Sequence, residues 1–184
     1  YENYLVKLKK KKYYFIGAKK DRDFCKGLKI LEERNLKKSD FILNLGLNED
    51  EAVNKYTRIL NEAAKMSLLM ICVNPDLEVI RGKKKEICAG SLALKYEELG
   101  GKVKYFGKPH IEIYKKVVKK IKIRNKNKIL AIGDSLRTDI LGANNFQIDS
   151  ALVLSGINGK IKEIEKICKK TNIYPKFLFN TLKW

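Results

Sequence analysis

The chain has 184 residues and 21.2 kDa, enough for one good core or two small ones. It is 45% hydrophobic and 33% charged, a globular composition, and its longest apolar stretch, Leu68 to Val73, is too short to cross a bilayer. A formal net charge of +19, from 40 Lys+Arg against 21 Asp+Glu, raises nucleic acid as a partner and has to be weighed first.

Short apolar or β-branched runs alternate with amphipathic runs at helical period. The first residue is Tyr1 rather than Met, and Tyr1 to Leu8 reads like the end of a helix under way, so further sequence is expected upstream. Tyr13–Gly17 predicts a strand and Arg22–Asn35 a helix carrying Phe24, Leu28 and Leu31 on one side. Phe41–Leu45 predicts a strand, and about Asp50 to Met66 a long helix with Val53, Tyr56, Ile59, Leu60 and Ala63 facing inward. Leu69–Val73 reads as a buried strand stopped by Asn74-Pro75-Asp76, because proline cannot donate to a ladder and Asn and Asp favour turns. Glu86–Leu99 predicts a helix ended by Gly100-Gly101. Then come strand Val103–Phe106, helix Ile111–Ile123, strand Ile129–Gly133, a helix from about Thr138 to Asn145, strand Ala151–Leu154, helix Ile161–Lys170 and a strand near Phe177–Phe179. Strands alternating with helices of this length indicate an α/β fold with parallel strands. The one plausible domain boundary lies near Tyr105–Lys108.

The charge is dispersed: 34 lysines and six arginines are spread throughout rather than gathered on one element. Ile, Asn, Tyr and Lys all have AT-rich codons, so a biased genome would give this charge without a selected partner. The runs Lys7–Lys12 and Lys83–Lys85 lack interleaved aromatics, apart from Tyr13, Tyr14 and Phe15. Nucleic-acid binding is therefore not expected. Cys25, Cys72, Cys88 and Cys168 form no C-x-x-C pair, and His110 is the single histidine, which argues against a disulfide scaffold or a structural zinc site. Nothing places His110 beside a cysteine as a nucleophilic dyad. With no secretion signal either, reduced thiols in a cytoplasmic protein are expected.

The site-bearing stretch is Ile129-Leu130-Ala131-Ile132-Gly133-Asp134-Ser135-Leu136-Arg137-Thr138-Asp139-Ile140. Asp134 falls at the carboxyl end of a buried strand, where open α/β sheets place ligands. A glycine precedes it, and a second carboxylate, Asp139, follows around the next helix start. Two such carboxylates suit a hard cation like Mg²⁺. The same residues also read as mere helix caps, with Ser135, Thr138 and Asp139 serving the first turn. Upstream, Gly107-Lys108-Pro109 holds a lysine at another strand end. A fixed ammonium there can neutralise a phosphoryl group, although Lys108 is also one lysine among 34.

Gly107-Lys108-Pro109, a helix, and then this Gly-Asp-Ser-Leu-Arg-Thr-Asp-Ile run resemble the haloacid dehalogenase (HAD) superfamily of phosphatases. The likeness is specifically to the class IIA group, which includes nucleotide and sugar phosphatases. Further stretches that look like this group are Ile71–Asp76, Cys88–Ser91, Tyr96–Gly101 and Leu152–Gly156, so the resemblance spans roughly residues 13 to 180. It implies that residues 1–104 form an α/β cap governing substrate choice, and that residues 105–184 form the C-terminal half of a Rossmann-like core. It implies that Lys108 is the motif lysine, Asp134 a direct Mg²⁺ ligand and Asp139 a supporting carboxylate, all three catalytic. Asn74 and Asp76 would meet substrate from the cap.

One element departs from the family pattern. The family's nucleophile is the first Asp of a D-x-D directly at a strand end, and its second motif is a Ser or Thr at the next strand end. Asp21-Arg22-Asp23 imitates the first motif, but Gly17 to Lys20 separate it from its strand, and cap-like sequence follows at once. It reads as a decoy, so the nucleophile segment is expected to be missing. The parent reaction implied is Mg²⁺-dependent hydrolysis of a phosphate monoester of a small sugar or nucleotide metabolite, with this chain alone inactive. Two other readings stay open: a non-catalytic remnant or binding module that pairs with a separately encoded N-terminal HAD segment or with itself, and, more weakly, a basic nucleic-acid binder.

Overall fold

The computed structural model describes residues 2–8, 11–48, 51–81, 84–123, 125–154 and 161–182. The chain divides into two compact units, Tyr1–Phe106 and Gly107–Trp184.

In the first unit, α1 (Glu2–Lys7) leads into β1 (Lys12–Ile16), a 3₁₀ turn (Lys19–Cys25), β2 (Leu31–Glu32) and β3 (Phe41–Asn44). A 3₁₀ turn (Val53–Tyr56) runs into α2 (Thr57–Lys65), followed by β4 (Leu69–Cys72). The hairpin strands β5 (Glu78–Arg81) and β6 (Lys84–Ile87), α3 (Ala89–Glu98) and β7 (Lys102–Tyr105) complete it. Five strands form a parallel sheet in the order β2-β1-β3-β4-β7, and β5 and β6 pair separately and antiparallel. Because side chains alternate across a strand, this register sends the central strands β1, β3 and β4 into two cores. Ile16, Ile42, Met70 and Cys72 meet Leu60 and Ala63 of α2 and Leu92 and Tyr96 of α3 on one face. Tyr13, Phe41, Leu43 and Ile71 meet Leu5 of α1, Cys25 and Ile30 on the other. Each fully buried Leu or Ile stabilises by about 1.5–3 kcal/mol. The buried Asn44 at the end of β3 is fully partnered. Its Nδ2 donates to the Ala89 carbonyl (2.9 Å) and its Oδ1 accepts from the Gly46 N–H (3.1 Å), tying the strand end to the start of α3.

Three expected helices of this unit differ. Over Arg22–Asn35 the chain makes a 3₁₀ turn and then strand β2, because Gly27 takes φ +85° and ends the turn. Leu31, expected on the apolar side, is 66% exposed. Over Glu86–Leu99 the helix begins only at Ala89, since Glu86 and Ile87 belong to the hairpin and pair with Val79 and Glu78. The long helix from about Asp50 also starts late. Asp50 lies outside the described residues, and the helix is 3₁₀ through Tyr56 before α2 begins.

In the second unit, α4 (Ile111–Ile121) precedes β8 (Leu130–Gly133), a π-helical turn (Leu136–Ile140), α5 (Leu141–Phe146), β9 (Asp149–Val153), α6 (Ile161–Thr171) and β10 (Phe177–Phe179). The three strands are parallel, in the order β10-β9-β8. One core forms here, with Leu152 packed against Leu136 and Ile140 of the π turn and Ile164 and Cys168 of α6. The expected stretch Leu152–Gly156 runs past 154 into residues outside those described. The α/β class with parallel strands is as the sequence indicates.

Candidate active site

The apolar run of β8 carries the chain to Gly133, and Asp134 follows at the strand's carboxyl end, exposed. The next residues do not enter an ordinary α-helix. The Ser135 carbonyl accepts from both the Asp139 N–H (3.0 Å) and the Ile140 N–H (3.1 Å), which widens the first turn to a π turn. That widening turns the Asp139 side chain back under the strand end, where only glycine leaves room. A Cβ on Gly133 would lie 2.2 Å from Asp139 Cγ.

The Asp139 carboxylate is 9% exposed, and both of its oxygens are engaged. Oδ1 accepts from the Lys108 ammonium, and Oδ2 accepts from the Ser135 N–H at 3.2 Å. Ser135 Oγ in turn accepts from the Thr138 N–H at 3.4 Å. The helix-cap reading is thus realised by Ser135. Asp139 does more than cap, because it also anchors a lysine 31 residues away. Tyr114 of α4 supports the same residue by donating its hydroxyl to the Asp139 carbonyl at 3.2 Å. A Cβ on Gly142 would lie 2.3 Å from that hydroxyl, so this glycine makes room for Tyr114. Burial, with the Asp139 carboxylate adding to it, pushes the Tyr114 phenol up to about 12, so it stays a neutral donor at ordinary pH.

Lys108 follows Gly107, whose φ of +105° favours glycine, and a cis bond joins Lys108 to Pro109. Its side chain is 47% exposed, so the ammonium binds Asp139 while keeping a face toward solvent. A buried carboxylate fixing a half-exposed ammonium is a preorganised positive charge, of the kind that stabilises a phosphoryl group.

Asp134 and Asp139 offer hard oxygen donors, which suit Mg²⁺ in kind. They fall short in number: among the described residues no group of three or more His, Cys, Asp or Glu could hold a metal. Both Asp139 oxygens are engaged, by Lys108 and by the Ser135 N–H, whereas Asp134 lies exposed at the strand's carboxyl end.

Asn74 and Asp76 lie in the first unit, on the turn after β4. Asn74 Oδ1 accepts from the Asp76 N–H (3.2 Å), and the Asp76 carbonyl accepts from the Gly90 N–H (3.0 Å) at the start of α3. Asn74 also borders a 360 Å³ cleft beside Leu47, Asn48 and Ile87 at the carboxyl edge of the sheet. Asp21 and Asp23 sit on the 3₁₀ turn, five or more residues past the end of β1 at Ile16. Tyr13, Tyr14 and Phe15 are packed into β1 rather than displayed as a stacking surface. The sequence reading did not find the support from Tyr114, Gly142 and the Ser135 N–H. The Tyr at 114 and Gly at 142 were its only visible traces.

Residues 105–183 match a family described as HAD-hydrolase-like. The whole chain is similar to a haloacid dehalogenase-like hydrolase from Brucella suis 1330, with 26% identity and a TM-score of 0.85 over 99% of this chain and 69% of that one. It is similar to a possible sugar phosphatase of the HAD superfamily from Cytophaga hutchinsonii, with 26% identity and a TM-score of 0.76 over 100% of this chain and 69% of that one. It also shares its fold with a p-nitrophenyl phosphatase from Archaeoglobus fulgidus, at 17% identity and a TM-score of 0.69 over 98% and 68% of the two chains. No curated protein matches the sequence. Residues 105–183 are thus HAD-hydrolase-like, and the chain as a whole has the fold of the HAD-superfamily phosphatases.

Proposed function

We propose that this chain supplies the cap and the lysine-bearing half of a class IIA phosphatase that hydrolyses the phosphate monoester of a small metabolite. The buried Asp139 carboxylate holding the half-exposed Lys108 ammonium at a strand's carboxyl end carries this reading. In it, Lys108 meets a phosphoryl oxygen and neutralises charge that develops there. Asp139 keeps the ammonium in place, and Tyr114 and the Ser135 N–H hold Asp139. Asp134 would hold Mg²⁺, with Asp139 supporting from behind, and the metal when bound would screen the phosphoryl charge. The first unit, Tyr1–Phe106, acts as the cap, and Asn74 and Asp76 present its turn to the non-phosphate part of the substrate. A sugar phosphate is supported by the likeness to the Cytophaga hutchinsonii protein, and four cysteines outside any disulfide suit a cytoplasmic setting.

The chain by itself should be inactive. Lys108 is no nucleophile for this chemistry, Asp134 is assigned to the metal in this reading, and Asp21 and Asp23 are not at a strand end, so no residue here is assigned to form the covalent intermediate. The test is aryl-phosphate hydrolysis with Mg²⁺. The expected result is background rates for the chain alone, and turnover once a D-x-D segment from a complete relative is added. Lys108→Ala or Asp134→Ala should then abolish that turnover. Turnover by the unsupplemented chain that disappears in Asp21→Asn would overturn the reading.

A further inference from the structure

Composition bias spreads lysine through the chain, but it does not clear carboxylates from one helix. From Ile113 to Gly133 no Asp or Glu occurs, while eight Lys+Arg fall between Lys115 and Lys128. The helix that packs on α4 adds no acid, since α5 reads Leu-Gly-Ala-Asn-Asn-Phe. Among the described residues, none of Lys115, Lys119, Lys122 and Lys126 pairs with a carboxylate. On α4, Lys115 with Lys119 and Lys116 with Lys120 stand four residues apart, like charges that destabilise a helix.

Three of these lysines share one concave surface. Lys119, Lys122 and Lys126 line a 510 Å³ groove together with Val118 and Ile123, both partly buried. Lys126 is held in place, because its ammonium donates to the Phe146 carbonyl at 2.7 Å and stands 4.2 Å from the centre of the Phe146 ring. That bond uses one of three N–H donors and leaves two. Lys122 takes the left-handed C-cap of α4 at φ +56°, where glycine is usual, so a long cation is kept there at a cost to the backbone. Lysines at a helix end ordinarily answer the helix dipole. The C-terminal end carries about half a negative charge, so three ammoniums leave about two and a half positive charges in excess.

We propose that this groove binds condensed phosphate, as pyrophosphate or triphosphate, through the ammoniums of Lys119, Lys122 and Lys126. Adjoining phosphoryl groups bring several negative charges to one place, which a single phosphate does not, and charge-assisted hydrogen bonds to ammonium groups are the strong ones. A polynucleotide fits less well, because among the described residues no aromatic ring lines the groove to stack a base. The groove is separate from the Lys108–Asp139 pair. Helix α4 starts three residues after Lys108, and the groove lies at its far end, about 16 Å along an eleven-residue helix. Binding there is independent of the phosphatase reading.

The test is calorimetric titration of the full chain with inorganic triphosphate in buffer free of divalent cations. A one-to-one complex is expected, with orthophosphate about tenfold weaker or more and ATP no tighter than triphosphate. Lys119→Gln combined with Lys122→Gln should weaken triphosphate by about tenfold or more, and Lys126→Gln by about threefold or more. Removing the same charge from the first unit, by Lys38→Gln combined with Lys65→Gln, should change the affinity by less than about twofold, as should Lys108→Ala. In the unsubstituted chain, the amide NMR signals of Lys119, Lys122 and Lys126 should shift on titration while those of Lys38 and Lys65 stay, a readout independent of how any variant folds. The site is overturned by no binding at about 1 mM triphosphate, by an equal loss in the Lys38 and Lys65 variant, or by a loss in Lys108→Ala, which would move the ligand to the candidate active site. Tighter binding of ATP, or displacement of triphosphate by an oligonucleotide at equal phosphate concentration, would overturn condensed phosphate as the ligand.

Discussion

The sheets of the two units use the same strand grammar to different ends. β3 reads Phe-Ile-Leu-Asn and is buried at every position, whereas β8 reads Leu-Ala-Ile-Gly, equally apolar, and leaves Leu130 and Ile132 each 43% exposed. The difference lies in what surrounds them. Among the described residues, β3 has a strand on each side and a core on each face, whereas β8 pairs with one strand and its unit shows one core cluster. An apolar run reports the burial a strand is built for, not the burial it has. Among the described residues, the gap between the two falls on the strand that ends at Asp134, in the candidate site.

The sharpest way to break the comparison is to injure each unit at a glycine. Gly90 starts α3 against the turn after β4, and a Cβ there would lie 2.2 Å from the Pro75 carbonyl oxygen, backbone that cannot swing aside. Gly90→Ala should cost the first unit on the order of 3 kcal/mol in urea unfolding followed by near-UV signals. Gly133→Ala in the second unit meets the Asp139 side chain, which can rotate away at the expense of its ion pair. It should cost about 1–2 kcal/mol, leave the first unit unchanged and raise the rate at which an acylating reagent modifies Lys108. Equal losses in both units from either change would show that they do not stand independently.

A middle-sized effect sits in the first unit's core. The Tyr96 hydroxyl donates to the Leu68 carbonyl at 2.5 Å from a fully buried ring. Tyr96→Phe keeps the ring and strands the carbonyl, so it should cost about 1–2 kcal/mol by thermal melting. A neutral outcome would mean that water reaches that carbonyl.

The smallest effect is an alkaline one in the second unit. Tyr114 titrates at about 12 when folded, against an ordinary value of 10.0, mainly because it is buried. A raised folded value means that the stability it lends is fully present below pH 10 and drains away as pH rises toward 12. Unfolding of residues 107–184 should steepen over that window, and Tyr114→Phe should flatten the slope, as read by the NMR signals of α4 and α5.

Seven of the strands were legible because each is a short apolar run bounded by turn residues, as at Asn74-Pro75-Asp76, and each of these begins and ends within about two residues of its expected position, whereas β2, β5 and β6 were not expected. The Asp134 and Asp139 turn was legible for the same reason, since a glycine and two carboxylates follow such a run. Other features were not. Phe24, Leu28 and Leu31 keep helical spacing, yet the left-handed Gly27 sends them into a turn and an edge strand. The β5–β6 hairpin was hidden by its lysines, which suggest a solvated helix face. Glu78 pairs with Lys85 across the hairpin at 2.6 Å, and no local pattern announces that contact. The π turn was invisible because it depends on where Asp139 must point, which is a tertiary fact.

Among the described residues, β3 and β4 are covered by strands on both sides, whereas β8 pairs only with β9 and leaves Leu130 and Ile132 half exposed. Residue-resolved amide hydrogen exchange on the free chain tests this contrast most directly. The account predicts that amides of β3 and β4, such as those of Ile42 and Met70, exchange only with full unfolding of their unit, while those of β8 and β10 exchange about a hundredfold faster or more through local opening. Amides of Ala131 and Ile132 as well protected as those of Ile42 and Met70 would contradict it.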